Sequence, residues 1–267
     1  MPSSPFELAL KSKDSADALV VPPSWAQGRA AFGGLVAAYG IRACESLVPK
    51  DRPLRSLSVQ FVGPLAPSLA ASVTAQVLRA GKSMTSVHAS IDQGGIVALI
   101  TCAFGATRTT SLTLKSTPPR SRPPFSEYME LPFVEGISPT FTKHFEFRLA
   151  SPEEIPFTAA KIAQLGGQIR FREPTTIDAA AIAGLVDAWP APFLSMFRSP
   201  APASTVHWQM DILTDLTTST YAPEGLWRFE SDGVAAAGGY GSITSRLWDA
   251  EDRLVAVSNQ MIAEFSN

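Results

Sequence analysis

The sequence contains little cysteine and little charge. Its two cysteines, Cys44 and Cys102, stand in apolar surroundings, so neither a disulfide framework nor a thiolate metal site is expected. Charged residues make up 17% of the 267 residues, below the usual share of about 25%. The 22 basic and 24 acidic residues give a formal net charge of −2. Because no global positive field is available to hold a polyanion, a nucleic-acid partner is not expected.

Targeting and membrane signals are also missing. The N-terminus lacks the basic region and the apolar core of a signal peptide. No stretch approaches the roughly 18 uninterrupted apolar residues that span a bilayer. The sequence therefore predicts a cytoplasmic protein without a membrane span.

Common catalytic signatures are absent as well. Gly81-Lys82-Ser83 resembles the end of a phosphate-binding loop, but Gln76 stands where that loop requires glycine. Neither the G-x-S-x-G nucleophile motif nor the H-E-x-x-H zinc motif occurs. The three histidines have no carboxylate at ligand spacing. Neither a metal nor a resident cofactor is therefore expected.

The first half of the chain combines one apolar helix with a series of strands. Residues 33–48 are apolar over most of a helical circumference and end before Pro49, which predicts a buried helix of about four turns. Strand patterns follow, with turn sequences at residues 79–82 and 92–95. The predicted strands cover residues 57–64, 69–78, 82–91 and 96–104.

The second half repeats this order. A helix is predicted for residues 175–189, with Thr175 as its N-cap and Pro190 directly after its end. The repeated order indicates an internal duplication with a period of about 150 residues. The predicted strands after this helix cover residues 205–213, 225–234, 241–248 and 253–265.

Prolines from Pro118 to Pro139 separate the halves and predict a linker over residues 116–142. The predicted domains are therefore residues 1–115 and 143–267, and the second also contains short strands at 144–149 and 168–171. A long apolar helix followed by an antiparallel meander is the order of a hotdog unit, in which a curved sheet wraps a central helix. The predicted fold class is α+β, a double hotdog with two central helices, each wrapped by an antiparallel β-sheet.

Short motifs in both halves extend this prediction. They are Phe32-Gly33-Gly34, Leu57-Ser-Val-Gln-Phe-Val-Gly-Pro64, Arg79-Ala-Gly-Lys-Ser83, Val206-His-Trp208 and Ser258-Asn-Gln260. Together they resemble the motifs of the acyl-CoA thioesterase II family and its thioesterase-like relatives, which are double hotdogs. The resemblance covers nearly the whole chain and is weakest through the linker.

The resemblance implies that the chain hydrolyses acyl-CoA thioesters to a carboxylic acid and CoA. The family uses an Asp, a Thr or Ser, and a Gln that together hold a water. Matched motif by motif, these residues fall on Asp187, Ser204 and Gln260 in the second half, with Thr205 as the alternative hydroxyl. CoA is part of the substrate, and a homo-oligomer formed through the hotdog sheets is a further expectation.

The residue pattern supports Asp187 and Gln260 separately from the resemblance. On a helical wheel, Asp187 points away from the apolar stripe and lies on a face of small residues that leaves room for a substrate. Gln260 stands in an otherwise largely apolar row of its strand, where a buried amide needs partners. The alternatives are an acid without a role and a glutamine bonded to backbone. The small residues of the helix are Ala179, Ala180, Ala183 and Gly184.

Four residues are candidates for substrate binding. Gly33 and Gly34 open the first helix, where backbone N–H groups can stabilise an oxyanion, although glycines needed for helix packing give the same pattern. Arg79 and Lys82, together with Arg55, are candidates for the CoA phosphates or are surface cations without a role.

If the chain has one active site, that site is expected in the second half. When the halves are aligned, Cys102 takes the place of Gln260, and Ser46 falls near that of Asp187. The first half therefore lacks the amide and the carboxylate. A non-catalytic module that binds acyl-CoA or an acyl lipid is the alternative function.

Overall fold

The computed structural model describes residues 3–16, 18–112, 114–120 and 124–265. Ser121, Arg122 and Pro123 of the expected linker lie outside the described residues. Within these ranges the helices are α1 (Pro5–Leu10), α2 (Gly33–Glu45) and α3 (Ala179–Asp187). The strands are β1 (Leu19–Val20), β2 (Ala26–Gln27), β3 (Ala30–Ala31), β4 (Leu54–Phe61), β5 (Ala70–Ala80), β6 (Met84–Asp92), β7 (Ile96–Gly105), β8 (Met129–Leu131), β9 (Phe145–Leu149), β10 (Gln164–Phe171), β11 (Ala203–Ile212), β12 (Trp227–Ala237), β13 (Tyr240–Trp248) and β14 (Leu254–Glu264).

Twelve of these strands form one antiparallel sheet that runs through both halves of the chain. Its centre is the pair β4 and β11, where Leu57 lies opposite Met210. The strand order is mirrored around this pair, because β7, β6 and β5 follow β4 on one side and β14, β13 and β12 follow β11 on the other. Strands β5–β7 of the first half and β12–β14 of the second half thus lie on opposite sides of the central pair.

Helices α2 and α3 pack against each other and against the sheet. They approach closely at two glycines, since a Cβ on Gly34 would lie 3.0 Å from the Cα of Gly184. The small face of α3 was expected to leave room for a substrate. Instead Ala180, Ala183 and Gly184 are buried, and Gly184 serves the close contact with α2. Small residues at this position are therefore explained by helix packing.

Both helices are shorter than the sequence predicts. Helix α2 ends at Glu45 rather than at residue 48. Helix α3 begins at Ala179 because Asp178 is its N-cap, and the Asp178 side chain accepts a hydrogen bond of 3.1 Å from the Ala181 N–H. The expected cap Thr175 instead donates its hydroxyl proton to the Glu173 carbonyl at 2.8 Å.

The expected linker contributes to the folded structure. Its strand β8 pairs with β9 at the edge of the sheet. Phe141 is buried, and its ring stacks on that of Phe32 with 4.2 Å between centroids. On the sheet of the second half, the Thr117 carbonyl accepts a hydrogen bond of 3.4 Å from the Trp248 indole.

One segment has the length and composition of a membrane span. Residues Ala179–Met196 have a mean hydropathy of 1.3, and 78% of the segment is buried inside the protein. The segment contains α3, whose apolar residues contact α2 and the sheet. The high hydropathy of this segment is therefore explained by a helix buried in the core and by the turn that follows it.

Candidate active site

Asp187 lies where the end of one helix meets the beginning of another. It is the last residue of α3, and its carboxylate accepts a hydrogen bond from the backbone N–H of Gly34 in the first turn of α2. Gly33 is also close, because a Cβ at that position would lie 2.7 Å from Asp187 Oδ2. The absence of a side chain at Gly33 therefore allows the backbone of α2 to approach the carboxylate.

Gln260 reaches the same carboxylate from the sheet. Ser258, Gln260 and Ile262 are buried on β14, whereas the intervening Asn259 and Met261 are exposed, so the first three share the inner face. Gln260 Nε2 donates a hydrogen bond to Asp187 Oδ1 at 2.8 Å. The Gln260 amide was expected to need a hydrogen-bond partner. That partner is the Asp187 side chain rather than a backbone group.

The hydroxyl group beside Gln260 belongs to Thr205, not to Ser204. Thr205 Oγ1 lies 3.5 Å from Gln260 Oε1, whereas Ser204 is exposed. The ladder between β11 and β14 shifts after Thr205, which leaves Val206 as an extra residue. Because this bulge reverses the alternation of side chains, Thr205 points inward like Trp208. The prediction that Ser204 supplies the hydroxyl beside Gln260 is therefore wrong, and Thr205 takes this position.

The surroundings of Asp187 alter its acidity. Burial raises the pKa of Asp187 to about 7, and the hydrogen bonds from Gln260 and from the Gly34 backbone oppose this rise. The C-terminal end of α3 disfavours a negative charge, whereas the N-terminal end of α2 favours it. The carboxyl group consequently changes charge near neutral pH.

The cations Arg79 and Lys82, which were predicted to bind the CoA phosphates, do not lie beside Asp187. Arg79 and Lys82 are exposed in the hairpin formed by β5 and β6. Arg52 holds this hairpin by donating hydrogen bonds to the Gly81 carbonyl and to Thr85. This hairpin lies at the end of the sheet where β4 begins. The other end of β4, which lies beside Gly33, is about 20 Å further along the strand. The structure does not bring Arg79 and Lys82 to the carboxylate, and their contact with the CoA phosphates stays a prediction.

Arg55 is the third of these cations. Its guanidinium forms an ion pair of 3.5 Å with Asp215 and donates hydrogen bonds to the Gly105 carbonyl and to Thr107. These contacts join β4 to the end of β7, to the residues that follow it, and to the loop after β11. These contacts within the fold therefore explain the position of the Arg55 side chain.

The equivalent position in the first half has different chemistry. Glu45 ends α2 as Asp187 ends α3, and Ser46 is the C-cap directly after Glu45. Arg42 contacts Glu45 at 3.0 Å and Asp178, the N-cap of α3, at 2.5 Å. Cys102, the counterpart of Gln260, is buried beside Cys44. An ion pair and two thiols thus stand where the second half has a carboxylate and an amide.

Sequence reasoning missed one aromatic contact of the site. The Phe61 ring at the end of β4 would lie 3.2 Å from a Cβ on Gly33. Only the position of Phe61 in an aromatic strand pattern could have indicated it. Within the described ranges, no group of three or more His, Cys, Asp or Glu residues is placed to hold a metal ion.

Solved structures share this fold. A hotdog-fold protein of unknown function from Alicyclobacillus acidocaldarius is 21% identical, with a TM-score of 0.86 over 98% of both chains. A protein from Thermobifida fusca YX, provisionally assigned as a thioesterase II, is 20% identical, with a TM-score of 0.80 over 100% of this chain and 99% of that one. The acyl-CoA thioesterase II TesB2 from Mycobacterium marinum is 15% identical, with a TM-score of 0.71 over 89% of this chain and 90% of that one. These similarities show the hotdog fold.

Family profiles extend the comparison to the sequence. The acyl-CoA thioesterase N-terminal domain matches residues 21–109, and the acyl-CoA thioesterase C-terminal domain matches residues 117–263. No curated protein gave a significant match. Because the two profiles together cover most of the chain, the chain belongs to the acyl-CoA thioesterase family and is a thioester hydrolase.

Proposed function

We propose that the chain hydrolyses acyl-CoA thioesters at a site formed by Asp187, Thr205 and Gln260. The hydrogen bond of 2.8 Å between Gln260 and Asp187 carries the proposal, because it orients a buried carboxylate whose pKa is about 7. A general base is most effective when its pKa lies near the working pH. Asp187 thus has the acidity and the position that water activation requires.

The proposed reaction begins with a water held by Thr205, Gln260 and Asp187. The water oxygen attacks the thioester carbonyl carbon while Asp187 accepts a water proton. The tetrahedral intermediate then collapses, the C–S bond breaks, and the CoA sulfur takes the proton back from Asp187. The products are a carboxylic acid and CoA, and the carboxylate is regenerated.

The negative charge on the carbonyl oxygen needs a donor. The first N–H groups of a helix have no acceptor within that helix. The Gly34 N–H is already donated to Asp187, so Gly33 is the better candidate for the oxyanion. The positive end of α2 adds to this stabilisation.

The proposal includes the arrangement of the whole chain. We interpret α2 with β4–β7 and α3 with β11–β14 as two hotdog units, joined through β4 and β11. The chemistry requires no resident cofactor, since CoA enters with the substrate. A cytoplasmic location and a homo-oligomer formed through the sheets stay predictions.

A thiol-release assay with Asp187→Asn tests the proposal. General-base catalysis contributes about 10²–10⁴-fold in rate, so kcat should fall by that factor. KM should change little, because the acyl and CoA groups are bound by other residues. Isotopically labelled water should place one label in the carboxylic acid product of the wild type.

Two results would contradict the proposal. Most of the activity retained in a folded Asp187→Asn variant would remove Asp187 from the mechanism. Tight binding of acyl-CoA without thiol release by the wild type would instead favour the non-catalytic binding module.

A further inference from the structure

Phe61 ends β4 on the inner face of the sheet. Two residues before it, Val59 lies opposite Trp208 on β11, and both of these side chains are fully buried. Because side chains alternate along a strand, the Phe61 side chain faces inward as well. It packs against the main core but stays partly exposed, so the ring lies at the border of the core.

The tip of the Phe61 ring reaches the beginning of α2. A Cβ on Gly33 would lie 3.2 Å from Phe61 Cζ and 2.7 Å from Asp187 Oδ2, so the ring tip and Oδ2 flank the same point. The other carboxylate oxygen, Oδ1, accepts the hydrogen bond from Gln260. An amide thus contacts one oxygen of the carboxylate, and an apolar ring stands beside the other.

Strand pairing also brings Phe61 to the end of the sheet that contains Thr205. The last paired residues of β4 and β11 are Gln60 and His207, and the extra residue Val206 separates His207 from Thr205. Phe61 and Thr205 therefore lie at the same end of two neighbouring strands, and both face inward.

No charged group within the described ranges contributes to the pKa of Asp187. Burial raises this pKa to about 7, and hydrogen bonds from Gln260 and from the Gly34 backbone oppose the rise. The raised pKa therefore reflects the exclusion of water rather than a neighbouring negative charge. The ionisable groups on the elements around Asp187 are Tyr39, Arg42, Cys44 and Glu45 on α2, Asp178 before α3, Arg55 on β4, His207 and Asp211 on β11, and Glu264 on β14.

We propose, on the basis of the proposed thioesterase function, that Phe61 is a positioning residue whose ring excludes bulk water from Asp187 Oδ2 and fixes the carboxyl group for water activation. With bulk water excluded at Oδ2, the carboxyl group keeps an acidity that suits a general base near neutral pH. The first half of the chain then supplies a side chain to the site as well as the backbone of α2.

The test measures how kcat depends on pH, by thiol release from acetyl-, butanoyl-, decanoyl- and hexadecanoyl-CoA. Phe61→Ala admits water to Oδ2, so the rise of kcat should move to lower pH by about one unit. A carboxyl group that is less well fixed also reacts more slowly, and the kcat plateau should fall by about tenfold or more. Val62→Ala is the matched control, because Val62 is the next residue but is 55% exposed, and its profile should equal that of the wild type.

Two variants separate this role from a general loss of packing. Phe61→Tyr keeps the ring and adds a hydroxyl at its tip, which can donate a hydrogen bond to the ionised carboxylate. Such a bond lowers the pKa, so the profile should again move to lower pH, and this variant decides the matter if Phe61→Ala does not fold. Phe61→Leu keeps an apolar side chain and should keep the midpoint of the wild type.

A second readout does not depend on turnover. The carboxyl carbons of aspartate are isotopically labelled, and the NMR signal that is missing from Asp187→Asn is followed with pH. In the wild type this signal should titrate at about pH 7, and in Phe61→Ala about one unit lower. In the Asp187→Asn background, Phe61→Ala should cause little further loss of kcat, because both changes act on the same group.

Three results would overturn the inference. An unchanged midpoint in both Phe61→Ala and Phe61→Tyr shows that the ring does not control Asp187, even if kcat falls. A wild-type Asp187 that titrates at about pH 4 is not shielded from water. An equal shift in Val62→Ala shows that the effect is not specific to Phe61. If the wild type cleaves none of the thioesters, the proposed function has failed, and the NMR titration still decides whether Phe61 excludes water from Asp187.

Discussion

At the residue scale, the acidity of Asp187 is the property that a kinetic measurement can detect. Burial raises its pKa to about 7, and only the ionised carboxylate can accept a proton from water. We therefore expect kcat to rise with pH and to level off above about pH 7. The residual activity of Asp187→Asn should lack this rise. A wild-type kcat that stays flat from about pH 5 to 8 would exclude Asp187 as the base.

The hydroxyl of Thr205 is the second prediction at this scale. It lies 3.5 Å from Gln260 Oε1, so Thr205→Val, which keeps the shape and removes the hydroxyl, should lower kcat by about tenfold or more. Ser204→Ala is the matched control on the neighbouring, exposed residue, and its kcat should equal that of the wild type. The opposite ranking of the two variants would restore Ser204 as the functional hydroxyl.

At the scale of elements, the beginning of α2 determines how closely its backbone approaches Asp187. A Cβ on Gly33 would lie 2.7 Å from Asp187 Oδ2 and 3.2 Å from the Phe61 ring, so Gly33→Ala has to displace the carboxylate. Misplacing a reacting group by about 1 Å can reduce the rate by about 10²-fold. We expect a kcat decrease of that order.

The matched control for this substitution is Gly63→Ala. An added Cβ there meets only Val97, at 4.0 Å, and its kinetics should stay those of the wild type. Unfolding curves of both variants show whether Gly33→Ala is still folded. Wild-type turnover by Gly33→Ala would show that the close approach is not required for catalysis.

Most strands could be predicted from the sequence, since alternation and turn residues are local signals. The bulge at Val206 could not be predicted, because it depends on how β11 pairs with β14. It reverses which side chains of β11 before Val206 point inward and which point outward. The prediction of Thr175 as the N-cap of α3 was wrong, because the N-cap is Asp178. Thr175 and Asp178 are both good capping residues, and the fold uses Asp178, which also pairs with Arg42.

At the scale of the whole molecule, the proposed site combines residues of both halves. Asp187, Thr205 and Gln260 come from the second half, as the sequence indicated for the carboxylate and the amide. Gly33 and Gly34 come from the first half, and their contact with Asp187 depends on the packing of α2 against α3. The motif at Gly33 and Gly34 was visible in the sequence, but its position beside the carboxylate requires the folded chain.

A buried acid with a raised pKa also affects the stability of the whole molecule. The pKa of Asp187 is about 7 in the folded state and about 3.9 in the unfolded state, so the folded protein binds more protons between these values. Its free energy of unfolding should therefore decrease as pH rises from about 4 to 7, by at most about 4 kcal/mol for this group.

Asp187→Asn removes this dependence, so it isolates the contribution of Asp187 from those of other titrating groups. The variant should gain stability relative to the wild type as pH rises from about 4 to 7, and the difference should stay constant above about pH 8. Denaturant unfolding at several pH values measures it. A pH-independent difference would mean that Asp187 has an ordinary pKa, and the catalytic role assigned to its raised pKa would lose its physical basis.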